Sequence, residues 1–137
     1  MNLNKSTRYA IHAALEMTIA EEKPVTVGQV GVRYDIPENV VAKVLQQLAR
    51  AGIVRGARGV GGGYRLARSA TDVSVQDIID IFEPAPPPDT CMLREVHHEA
   101  CPGGGVPRCR VMDLFQEVDE TVRATFSSVS LATLAAQ

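Results

Sequence analysis

The sequence has no tryptophan and only three tyrosines and three phenylalanines in 137 residues, too few rings for a surface that binds single strands mainly by stacking bases. It also lacks any uninterrupted run of the roughly 18 apolar residues that a bilayer-spanning helix needs, so no membrane partner is expected. The segment Met1 to Tyr9 holds no continuous apolar stretch of the kind that directs secretion, and the expected location is cytoplasmic. Catalytic signatures are missing as well. There is no Ser-His-Asp ordering and no pair of carboxylates with an obvious pocket. The run Gly59 to Gly63 lacks the Gly-Lys-Ser/Thr ending of a phosphate loop and leads into a strand pattern, so no enzyme is expected. What remains is ordinary for a globular domain, 45% hydrophobic and 22% charged, at a length that can bury one core.

The formal net charge of −2 conceals a division along the chain. Residues 1 to 70 hold ten Lys and Arg against five Asp and Glu, whereas residues 71 to 137 hold four against eleven. Between Glu38 and Asp72 there is no acidic residue, yet that window carries Lys43, Arg50, Arg55, Arg58, Arg65 and Arg68. A basic half joined to an acidic half points to a polyanionic partner for the first of them.

The order of elements agrees. Ile11, Ala14, Leu15, Thr18 and Ile19 recur at helical spacing, predicting a helix from about Ser6 to Glu22 with Ser6 or Thr7 as its cap, and Arg8, His12 and Glu16 one turn apart on a neighbouring face. Thr26 and Gln29 form a capping box for a short second helix to about Arg33. Tyr34-Asp35-Ile36 reads as a turn. Pro37 suits the first position of a third helix with the stripe Val41, Val44, Leu45 and Leu48, and Gly52 its left-handed stop. Two short helices around a tight turn make a helix-turn-helix candidate. The following Ile53 to Arg68 alternates around a glycine-rich loop as a hairpin, which in that position is a wing. Ser74 caps a further helix burying Val75, Ile78, Ile79 and Phe82; Pro84 to Pro88 is a stiff spacer; Asp89 to Cys109 is loop-like. From Arg110 to about Phe126, Val111, Leu114, Phe115, Val118, Val122 and Phe126 return at steps of three and four, a long helix that most simply packs on a second copy of itself. The expected fold is therefore mainly α with a small β-hairpin wing. Residues 1–83 form a winged helix-turn-helix, 84–109 a spacer and cysteine loop, and 110–137 a dimerisation helix and tail.

On the third helix the face opposite the apolar stripe carries Asn39, Lys43, Gln46, Gln47 and Arg50. Amides can read adenine edges, and Lys or Arg can hold phosphate or guanine. Arg58 at the hairpin tip is the residue expected to enter a minor groove, and Arg65 and Arg68 complete the predicted contact set on double-stranded DNA. The cysteines follow the pattern Cys91-x9-Cys101-x7-Cys109. In a reducing compartment they suit metal or redox chemistry better than disulfides, and their thiolates suit an iron-sulfur cluster or zinc. The spacing alone leaves open both of these, and unliganded thiols too.

Ala51-Gly52-Ile53-Val54, the wing Arg58-Gly59-Val60-Gly61-Gly62-Gly63-Tyr64-Arg65-Leu66-Ala67, the early Arg8-Tyr9-Ala10, a three-cysteine loop before a carboxy-terminal helix, and the closing Val129-Ser130-Leu131-Ala132-Thr133-Leu134 resemble the IscR and NsrR group of bacterial repressors, the Rrf-two family. The resemblance implies a homodimeric winged-helix transcription regulator of the repressor type, whose DNA affinity responds to an iron-sulfur cluster, with Cys91, Cys101 and Cys109 as ligands. A dimer should prefer an inverted-repeat operator with half-sites about one helical turn apart. This chain departs from the family at several positions. It has Ala42-Lys43 where members such as IscR place Glu-Gln, Met112 where the IscR type has a histidine, Arg8 where the NsrR type has an acid, and wider cysteine gaps. In the family the first helix of one subunit approaches the cluster of the other, so the resemblance implies His12 in trans as the preferred fourth ligand, with His97 or His98 as local alternatives. A histidine ligand favours 2Fe-2S over 4Fe-4S by analogy with Rieske centres. The rival is a structural zinc on the three cysteines with His97 or His98, or a cluster-free thiol sensor.

Overall fold

The structure, a computed structural model, describes residues 3–59, 61–83 and 110–137. The described residues up to Glu83 form one compact unit together with Phe126–Gln137, and Arg110–Thr125 belong to a second.

The first helix, α1 (Lys5–Ile19), begins at Lys5, just before the expected caps Ser6 and Thr7. Asn4 caps it, accepting from the Thr7 backbone at 2.9 Å. Glu83 secures this cap from the far end of the unit: one carboxylate oxygen accepts from the Asn4 amide at 2.6 Å and from the Thr7 hydroxyl at 2.7 Å. These bonds stabilise the charged carboxylate and hold Glu83 below the usual carboxylate range, the Asn4 amide contributing most and the Thr7 hydroxyl next. A depressed folded value means that the contribution is fully present above the unfolded pKa and is lost as pH falls through the folded one. Wild type is therefore expected to resist urea better than Glu83→Gln at neutral pH, with the two midpoints converging as pH is lowered through the carboxylate range. A constant difference would show that the charge is immaterial.

The buried face of α1 also differs from the predicted stripe. Thr7, Ala10, Ala13, Ala14 and Met17 are inside, whereas Ile11 and Leu15 are half-buried and Ile19 is 54% exposed. Small side chains let α1 lie close to three neighbours at once, the helices α3 (Glu38–Arg50), α4 (Val75–Phe82) and α6 (Leu131–Ala135). The helix stops at Ile19 because Ala20 caps it and Glu21 takes the left-handed conformation at φ 53°.

The next helix, α2 (Val27–Tyr34), carries both halves of the Thr26/Gln29 capping box. Asp35, at φ 52°, turns the chain into α3, which buries Val41, Val44, Leu45 and Leu48 as the sequence predicted. Pro37 stands just before α3 as its cap residue. Strands β1 (Val54–Ala57) and β2 (Gly63–Leu66) pair antiparallel, with Val54 opposite Leu66 and Arg55 opposite Arg65. Val25 extends this sheet by two 2.8 Å backbone bonds with Tyr64. A Cβ at Gly63 would lie 2.6 Å from the Val25 carbonyl oxygen, so only glycine permits that approach. Ser74 and Asp77 form a reciprocal box on α4, which buries Val75, Ile78 and Ile79. Phe82 is half-buried, and Gln76, unmarked by the sequence pattern, is buried with its amide donating to Asp80 at 2.8 Å.

The long helix α5 (Arg110–Ser128) exposes Leu114 (58%), Phe115 (42%) and Val118 (52%). After it the chain returns to the first unit. The Val75 amide donates to Val129 and the Leu131 amide to Val73, each at 2.9 Å, and Leu131 is fully buried in the core. The tail that sequence reasoning grouped with the dimerisation helix thus packs within the winged-helix unit.

Candidate nucleic-acid interface and ligand positions

The apolar stripe of α3 fixes which side of that helix faces outward. Val41, Val44, Leu45 and Leu48 are locked into the core, so Asn39, Lys43, Gln46, Gln47 and Arg50 all lie exposed on the other side. Arg58 is exposed in the loop between β1 and β2, where Gly59 and Gly61 adopt φ 112° and 80°. Among the described residues, none of these six polar side chains takes part in a hydrogen bond or ion pair with the rest of the chain. Arg65 is half-buried; its Nε is enclosed and has no partner among the described residues. Arg68 lies 3.8 Å from the Asp77 carboxylate, with both side chains nearly half exposed. Arg55, outside the predicted contact set, stands directly across the ladder from Arg65 and is exposed. Like charges directly opposite on a sheet disfavour folding. The strand register could have marked this pair, since it follows from the loop length once the hairpin is recognised.

Of the row Arg8, His12 and Glu16, the structure gives Glu16 a structural task. Its Oε1 accepts from the Tyr34 hydroxyl at 2.7 Å and pairs with Arg33 Nε at 2.8 Å. Burial, then the hydrogen bond to Glu16 and the charge of that carboxylate, pushes the Tyr34 phenol upward, which keeps it a donor. His12 is exposed, its ring against that of Tyr34 with centroids 4.6 Å apart and planes at 31°. Neither imidazole nitrogen is hydrogen-bonded among the described residues. A cavity of about 220 Å³ adjoins the pair, lined also by Arg8, Tyr9 and Ile36. Tyr34 and Arg33 were absent from the predicted site because their partners lie 18 and 17 positions away, beyond any local pattern. Cys91, Cys101, Cys109, His97 and His98 lie outside the described residues. Among the described residues no three His, Cys, Asp or Glu side chains gather as metal ligands, and no helix is long and apolar enough to cross a membrane.

A helix-turn-helix whose second helix shows an unengaged polar face, followed at once by an arginine-tipped hairpin, defines a winged-helix DNA-binding transcription regulator. The chain belongs to the Rrf2 family, described as iron-dependent transcriptional regulators, whose family model matches residues 3–137. It is 34% identical over 134 residues to the transcriptional regulator BadM of Rhodopseudomonas palustris, covering 98% of this chain and 81% of that one. It is 29% identical over 135 residues to IscR of Photorhabdus laumondii, covering 98% and 79%. Among solved structures it resembles IscR of T. potens (TM-score 0.79, 21% identity, 98% and 85% covered) and CymR, the global cysteine regulator of B. subtilis (TM-score 0.78, 21% identity, 99% and 97% covered). At such identity the two structures speak for the fold. The curated relatives are regulators of transcription, not enzymes.

Proposed function

We propose that the protein is a repressor that binds an inverted-repeat operator as a homodimer, through the exposed face of α3 and the wing, under the control of an iron-sulfur cluster. The observation that carries the DNA reading is the set of unengaged donors: Asn39, Lys43, Gln46, Gln47, Arg50 and Arg58 are exposed and committed to nothing else among the described residues. Amides and guanidinium groups free of internal partners can be desolvated against base edges and phosphates without breaking bonds of the fold. Arg65 and Arg68 flank them on the hairpin side as phosphate contacts. The apolar residues exposed on α5, Leu114, Phe115 and Val118, supply the surface by which two copies join.

The donor set fits a cluster. Cys91, Cys101 and Cys109 offer three soft thiolates, and the partner subunit's His12 offers an imidazole whose nitrogens have no partner among the described residues and whose ring lies against that of Tyr34. The cluster when bound supplies a group sensitive to redox state and iron supply. A nitrogen donor beside three thiolates favours the 2Fe-2S form, with 4Fe-4S as the alternative. A second reading, zinc or a cluster-free thiol sensor, is favoured by Met112 and Arg8, which stand where relatives carry non-cysteine ligands.

Anaerobically purified protein is expected to show visible bands that bleach on reduction, and to protect an inverted repeat in its own upstream region while ignoring scrambled DNA. A colourless protein with one bound zinc overturns the cluster, and equal affinity for scrambled DNA overturns sequence-specific repression. Because each neutralised phosphate releases counterions, Arg65→Gln is expected to lower the log–log salt slope by about one. An unchanged slope removes Arg65 from the interface.

A further inference from the structure

Two arginines face one another on the wing with nothing in the fold to neutralise them. Arg55 of β1 is paired with Arg65 of β2, so their side chains leave the same face of the hairpin with Cβ atoms about 5 Å apart. Both line a cavity of about 400 Å³ between the hairpin and the residues that follow α1, and Arg68 lines it too. Glu21 and Glu22 stand at the same cavity, yet among the described residues neither pairs with any of the three arginines. Arg55 and Arg65 take no hydrogen bond or ion pair among the described residues, while Arg68 lies 3.8 Å from Asp77. Arg65 is half-buried with its Nε enclosed, so its guanidinium is kept close to the fold without an internal bond.

We infer that Arg55 and Arg65 together hold one phosphate of the operator backbone, which makes Arg55 a DNA contact in addition to the recognition helix and the wing tip. The inference rests on the DNA reading of the wing. A like-charged pair directly across a ladder works against folding unless an anion lies between the two groups. No carboxylate among the described residues pairs with either arginine, and the stretch between Glu38 and Asp72 contains none. Among the residues lining the cavity, three guanidinium groups stand against two carboxylates, one net positive charge. A backbone phosphodiester carries one negative charge. Its two unesterified oxygens can each accept from a guanidinium fork, the planar match that suits arginine to phosphate. Binding of that phosphate relieves a repulsion that the free protein carries, so operator binding and the stability of the wing are coupled.

The test uses the full-length protein and the operator that it protects in its own upstream region. Single operator phosphates are replaced by neutral methylphosphonates, and each duplex is titrated with wild type, Arg55→Gln, Arg65→Gln and the double variant. The salt slope on unmodified operator and the thermal midpoint of each free protein are measured alongside. One position in each half-site, the same for both arginines, is expected to cost wild type about tenfold in affinity, the scale of a hydrogen bond to a charged group. The same replacement should cost either single variant little. The double variant should lose no more salt slope than a single variant, because one phosphate is shared. Arg55→Gln should melt at or above wild type, since it removes the repulsion. Should a glutamine variant melt well below wild type, Arg55→Lys decides: it keeps the charge and lacks the fork, and should keep the salt slope while losing most of the coupling to that position. Different sensitive positions for the two arginines, a slope loss in the double variant equal to both single losses added, or wild-type behaviour of Arg55→Gln overturns the inference and leaves the DNA reading standing. Equal affinity of wild type for operator and scrambled DNA removes that reading and the inference together.

Discussion

Cys101→Ala, purified without oxygen, is expected to be colourless and to bind the operator with one affinity in oxidising, reducing and chelating conditions. The effect should be complete, because the proposed donor set has only three thiolates and one imidazole, and none of the other described residues gathers into a metal site that could replace the missing sulfur. The winged-helix unit does not depend on Cys101 for its core, which is assembled from residues up to Val73 and Ile78 and from Leu131. Operator binding should therefore survive while its control is lost. That separation is the informative part of the result. Full iron content and unchanged visible bands in Cys101→Ala would remove this cysteine from the ligand set, and loss of operator binding in every condition would mean that the cluster is needed for binding as such.

The second large effect concerns the tail. Leu131→Ala is expected to destabilise the protein by about 2–5 kcal/mol in urea denaturation, the range for deleting a fully buried leucine side chain. Leu131 is 0% exposed and shares the core of the first unit with Ala10, Ala13, Ala14 and Met17 of α1. Set against a typical domain stability of about 5–15 kcal/mol, this is a large fraction. A change below about 1 kcal/mol, the usual scale of a surface substitution, would show that the tail is not part of the core.

What could be read from the sequence was mostly local. The Thr26/Gln29 box, the stripe of α3, the stop at Gly52, the hairpin and the Ser74 cap each depend on residues within a turn or two of one another, and each is present. The face of α1 was misread because isoleucine and leucine weigh more than alanine in an apolar pattern. The helix instead buries its alanines, since three neighbouring helices must approach it. Asn4 was passed over as the cap because its second support, Glu83, comes from the opposite end of the unit. The polar face of α3 followed directly from the stripe. The engagement of Glu16 by Tyr34 and Arg33, and the approach of Arg68 to Asp77, required the folded chain.

The return of the chain to its first unit after α5 bears on how the protein is made. Ala13, Ala14 and Met17 near the start of the sequence share one core with Leu131 near its end, and the bond from Leu131 to Val73 joins residues 58 positions apart. Contacts so distant in sequence form late. On the ribosome the winged-helix unit must wait for residues 129–135, and by then all three cysteines have already been synthesised.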